Sequence, residues 1–216
     1  MRTGAPEQWG WAPTAGGNTA PPPAPRPSAL AVTLSALLLA ALIAAPAVLH
    51  QTPAPPTAQG GAFSGHGISF SYPASWTWIT GPGFGAEAGN RLWSEGFFPG
   101  PSEGLSYVAV TAYRLPFDAD LQPVTALAAQ LKTVMSTLAT RFNGSLTSGP
   151  TSVQVDGAQA FSATITFQQA GQDLTTQVVA VFSGSTQYNI NCEYTADSQA
   201  QVSGACAQVV SSFRLG

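Results

Sequence analysis

Charge is what this chain has least of. Only 8% of its 216 residues are Asp, Glu, Lys or Arg, against about 25% in an ordinary soluble domain. Lysine occurs once, at Lys132, and histidine twice, at His50 and His66. Residues 62–216 carry five Lys or Arg against nine Asp or Glu, leaving a net charge of −4. A domain of that sign lacks the basic footprint that phosphate backbones require, so nucleic acid is excluded as a partner. The scarcity of histidine and cysteine bears on metals: neither His50 nor His66 has a second His or Cys at ligand spacing, which excludes a zinc site. No sequence element points to a cofactor. Gly83-Phe84-Gly85-Ala86-Glu87-Ala88 matches a dinucleotide-binding pattern in letters only. Gly89-Asn90 directly after it forbids the helix whose N-terminus would hold a pyrophosphate.

Apolar residues, by contrast, are concentrated in one run. Residues 29–49 form 21 consecutive residues without a charge, and about 20 suffice to cross a hydrocarbon core as a helix. Arg2, Arg26 and the α-amino group precede the run, and no charged residue follows it until Glu87. Positive charge on the leading side predicts a cytoplasmic tail over 1–28 and a main domain outside. The tail, rich in proline and glycine, is expected to be disordered. Residues 50–61 read as a proline-rich linker, and 62–216 as an extracytoplasmic domain. A cleavable signal peptide, cut after Ala47, is the competing reading of the same run.

Two cysteines, Cys192 and Cys206, lie late in the exported part. An even pair in an oxidising compartment predicts a disulfide. Alternation of apolar and polar residues predicts strands over 68–72, 91–98, 105–115, 153–155, 158–168, 174–182 and 187–194. Asp156-Gly157 reads as a two-residue hairpin turn. Val124, Leu127, Leu131, Val134, Met135 and Leu138 recur at helical spacing, with Asp118 and Asp120 as candidate caps and Asn143-Gly144 as a stop. A closing helix is expected over 196–213, capped by Thr195. Strands, a helix, a four-strand meander and a second helix predict an α+β class, with helices covering a mainly antiparallel sheet.

Three passages carry a resemblance. Gly67-Ile68-Ser69-Phe70-Ser71-Tyr72-Pro73-Ala74-Ser75-Trp76 resembles the opening "F-x-Y-P-x-x-W" of the superfamily that contains Mog1, the extrinsic P-subunit of photosystem II and LpqN-type actinobacterial envelope proteins. Val155-Asp156-Gly157-Ala158 is similar to its central hairpin, and Tyr188–Cys192 with Val209–Arg214 to its closing strand and helix. The resemblance covers most of residues 64–215. It implies an α/β/α sandwich that binds partners, with no catalytic residues to carry over. The attachment cysteine of the lipoproteins is missing, and the run over 29–49 would replace it.

Function follows only in outline. The sequence predicts a membrane-tethered, non-enzymatic binding or accessory domain of the bacterial envelope, contacting another envelope protein, a glycan or a lipid. One alternative is a hydrolase of envelope polymers using a carboxylate pair drawn from Glu87, Glu95 and Glu103. The other is a structural subunit of a membrane complex. His66, a conceivable base of a hydrolytic triad, has no nucleophile motif beside it. Trp76, Trp78, Phe84, Trp93, Phe97 and Phe98 crowd into one stretch. Phe84 sits in a glycine-rich loop, and Phe97 and Phe98 would point to opposite faces of a strand. An exposed aromatic among these three is the expected ligand contact.

Overall fold

A computed structural model describes residues 57–59, 61–80, 89–100 and 104–216. The tail expected over 1–28, the apolar run over 29–49 and Phe84, Glu87 and Glu103 lie outside the described residues. No described helix is long and apolar enough to cross a membrane.

Eleven strands and two helices are described: β1 (Thr57–Gln59), β2 (Ala62–Gly65), β3 (Ile68–Ser71), β4 (Thr77–Thr80), β5 (Arg91–Phe98), β6 (Tyr107–Arg114), α1 (Val124–Arg141), β7 (Ser145–Val155), β8 (Ala158–Gln169), β9 (Gln172–Ser183), β10 (Thr186–Tyr194), α2 (Gln199–Ser212) and β11 (Arg214–Leu215). Every pairing is antiparallel. The large sheet runs β4-β5-β6-β10-β9-β8-β7, and the small one β1-β2-β3-β11. After β6 the chain crosses through α1 to the far edge, and the meander β7 to β10 brings it back beside β6. The α+β class and the four-strand meander are as expected, and β1 pairs with β2 inside the stretch read as linker.

The two faces of the large sheet bury separate cores. On one face, α2 and the small sheet cover Phe97, Val108, Val110, Val181 and Ile190, with Phe63, Phe70 and Phe213 packed against them. The rings of Phe63 and Phe70 stack 4.9 Å apart, and Phe70 meets Phe213 at 6.2 Å. On the other face, Leu127, Leu131, Met135 and Ala139 of α1 meet Phe161, Ile165, Leu174 and Val178. Burying a large apolar side chain contributes about 1.5–3 kcal/mol.

Local signals differ from the sequence reading where polar residues play structural parts. Asp118 does not cap α1. Its Oδ1 accepts from the Asp120 amide at 3.0 Å and closes a single 3-10 turn, Ala119–Leu121, while α1 starts after Pro123. The closing helix begins as a 3-10 turn, Ala196–Ser198, with Thr195 as the expected N-cap in a capping box, Ser198 Oγ accepting from the Thr195 amide at 3.1 Å. Asp156-Gly157 forms the expected turn with positive φ at both residues, 52° and 78°. The same geometry at His66-Gly67, 55° and 75°, joins β2 to β3 and was not foreseen.

Cys192 and Cys206 are bonded, with Cα atoms 5.9 Å apart. Cys192 lies on β10 and Cys206 on the buried side of α2, so the bond fastens the helix to the centre of the sheet. Opening it by Cys206→Ser should lower unfolding stability by about 2–4 kcal/mol with little change in fold. Denaturant titration of wild type and variant, with far-UV circular dichroism of each, measures both outcomes.

Candidate functional site

Strand β10 is built from two interleaved sets. Tyr188, Ile190, Cys192 and Tyr194 pack into the core beneath α2. Gln187, Asn189, Asn191 and Glu193 alternate with them and therefore face the α1 side. Register places Glu193 opposite Tyr107 of β6 and Thr176 of β9, and Asn191 opposite Ala109 and Val178. A buried polar strip thus crosses the middle of an otherwise apolar face. α1 packs against β7 and β8, leaving this strip along its flank.

The result is a cleft of about 370 Å³ between α1 and the sheet. Its walls include Leu105, Met135, Leu138, Phe142, Ile165, Phe167 and Val178, and its floor is Asn189, Asn191 and Glu193. A second cavity of about 330 Å³ shares Tyr113, Leu138 and Asn189 with the first. Val134 and Phe142, roughly half exposed, stand at the mouths. Cavities of this size, apolar with a few converging polar groups, are the usual form of small-molecule sites.

Electrostatics at the floor is dominated by a carboxyl in an apolar setting. Glu193 is 8% exposed. Thr176 Oγ1 donates to its Oε2 at 2.8 Å, and the Tyr107 hydroxyl donates to it as well. Burial raises the Glu193 pKa above the ordinary carboxylate value, opposed by those two hydrogen bonds. Burial also raises Tyr107, with the Glu193 charge adding to the effect, so Tyr107 stays a neutral donor. Asn191, 9% exposed, has no hydrogen bond to its side-chain amide among the described residues. That amide opens into the cleft. Gln187 Nε2 donates to Asn189 Oδ1 at 2.6 Å, which fixes the next amide along the strip.

The residues singled out from sequence lie elsewhere. Phe97 and Phe98 do point to opposite faces, but neither is exposed. Phe97 is enclosed by Phe63, Phe70 and Tyr72, and Phe98 packs on Tyr107, Ala109 and Ile79. The reason is that both faces of the sheet are covered, so a ring on either side finds partners. Phe98 reaches the site only as part of the cleft wall. Glu95 is not a surface acid. It is 2% exposed on the α2 face, where His66 donates from Nε2 to its Oε1 at 3.0 Å and Trp78 donates from Nε1 to its Oε2 at 2.8 Å. The His66 ring also stacks on Trp93 at 4.4 Å. With both oxygens engaged, Glu95 serves to join the β2–β3 turn to the large sheet, which removes it from the proposed acid pair. Among the described residues, no three His, Cys, Asp or Glu side chains converge to hold a metal. The alternation of Gln187, Asn189, Asn191 and Glu193 was the available signal for the cleft floor, and the sequence reading used only the apolar half of that alternation.

No family model matches the chain, and no curated relative does. Solved structures do. The solution structure of cyanobacterial PsbP (CyanoP) from Synechocystis is similar over 72% of this chain and 91% of that one, at 15% identity and a TM-score of 0.50. LpqN, involved in cell envelope biogenesis of Mycobacterium tuberculosis, matches over 74% and 89%, at 12% identity and a TM-score of 0.45. A protein from Bacteroides thetaiotaomicron matches 74% of this chain at 16% identity and a TM-score of 0.46, and the chain spans 49% of that protein's length. The chain therefore shares the fold of cyanobacterial PsbP.

Linkage gives the cleft carboxyl a measurable sign. A folded-state pKa above the unfolded one means that the native state binds the extra proton, so its contribution is fully present below the unfolded value. It is lost as pH rises from about 4.5 through the raised Glu193 pKa. Glu193→Gln keeps an acceptor for Tyr107 and Thr176 and removes the titration. Relative to wild type, the variant should become more stable across that window and should show no relative gain below it. Thermal unfolding at a series of pH values measures the difference.

Proposed function

We propose that the chain is a membrane-tethered, extracytoplasmic binding or accessory domain of the bacterial envelope that holds its ligand without transforming it. The observation that carries the reading is the cleft along α1. Its polar groups are amides, hydroxyls and one buried carboxyl, all anchored on the sheet, which suits orientation of a bound molecule. The anchor is the apolar run over 29–49, and its charge flanks place the domain outside. The Cys192–Cys206 bond fits an oxidising compartment.

Two measurements test the two halves. A reporter active only in the cytoplasm, fused after Gly216, should stay silent; activity reverses the topology. For binding, the full chain in lipid nanodiscs should gain thermal stability when envelope extract is added, since a ligand selective for the native state stabilises it by mass action. Phe142→Asp sets a charge at the half-exposed rim and should abolish that gain while leaving the unliganded melting temperature within a few degrees. An undiminished gain places binding away from the cleft.

A further inference from the structure

The two cavities are neighbours along α1, sharing Tyr113, Leu138 and Asn189 in their linings. Its flanks are aliphatic and aromatic. Neither cavity has a Lys or Arg among its described lining residues. An anionic head would therefore be desolvated without a counter-charge. A cation fares little better, because the one acid among the described lining residues is already engaged by Thr176 and Tyr107. Of the floor residues, Asn191 has no side-chain hydrogen bond among the described residues, and its amide offers one acceptor and two donor hydrogens to the cleft. It is matched by a hydroxyl or an amide, groups that both donate and accept.

Resting on the reading of the cleft as a binding site, we propose that its ligand is an uncharged, single-chain amphiphile whose apolar chain lies under α1 and whose hydroxyl or amide head hydrogen-bonds Asn191 beside Glu193. The chain replaces water along Leu105, Met135, Leu138 and Phe167. The head hydrogen-bonds the Asn191 amide in place of water, which an apolar ligand of the same volume does not do.

Octan-1-ol, octanoate and octylammonium share one chain and differ in head charge, so they separate the possibilities. Each is titrated into the ¹⁵N-labelled full chain in nanodiscs at pH 7.5, following the Asn191 side-chain amide resonances and the backbone amides of β10 and α1. Octan-1-ol should shift these resonances saturably, with at least tenfold higher affinity than either charged probe. Asn191→Ala should weaken octan-1-ol about five- to tenfold, the value of one hydrogen bond. Equal or tighter binding of octanoate or octylammonium overturns the proposal, as does undiminished octan-1-ol binding in Asn191→Ala. Should Asn191→Ala fail to retain the wild-type amide spectrum elsewhere, Asn191→Ser supplies the same comparison with a shorter side chain. If no probe binds while envelope extract still stabilises the chain in a Phe142-dependent manner, the ligand class is wrong and the binding reading stands.

Discussion

Strand β10 carries Ile190 and Cys192 on one face and Asn189, Asn191 and Glu193 on the other, and a strand cannot slip by one residue without exchanging the two sets. A slip would put two amides and a carboxyl into the core beneath α2 and bring Ile190 and Cys192 into the cleft. It would also pull Cys192 out of reach of Cys206. The register between β6, β10 and β9 is thus fixed three times over, by apolar burial, by the Thr176 and Tyr107 hydrogen bonds to Glu193, and by a covalent bond. Core and cleft floor follow from the same alignment.

The division of the molecule into two unlike faces comes from how each is closed. The α2 face is sealed by a helix, a second sheet and the Glu95 carboxylate bridging His66 and Trp78. Glu95 is tolerable there because both of its oxygens meet donors, whereas an unpaired buried carboxylate would cost several kcal/mol. The α1 face is closed over β7 and β8 by one helix, and the strip over β10 and β6 is left as a cleft.

How much of this was legible follows the physics of each segment. β3 and β8 show clean alternation because one side of each is buried, and α1 shows a single stripe for the same reason. The disulfide was legible from an even cysteine pair placed on the closing strand and helix. β7 was read only over its last three residues, because most of Ser145–Val155 faces solvent at a sheet edge and carries no apolar period. The pairing of His66 with Glu95 spans 29 residues and depends on a positive-φ turn and on the stacking of two sheets, neither of which leaves a local trace. Phe97 and Phe98 show the converse. Their opposite orientation was legible, but exposure is a property of what covers a face, and that is set by elements far away in sequence.

One asymmetry has an evolutionary side. α2 is tied covalently to the sheet, while the described contacts of α1 with the sheet are apolar, from residues such as Leu127, Leu131 and Met135. Substitutions on the cleft-facing side of α1, at Val134, Leu138 or Phe142, reshape one wall without disturbing the strand register or the disulfide. The scaffold can then diversify its ligands by drift in a single helix, with its foldability insured on the opposite face.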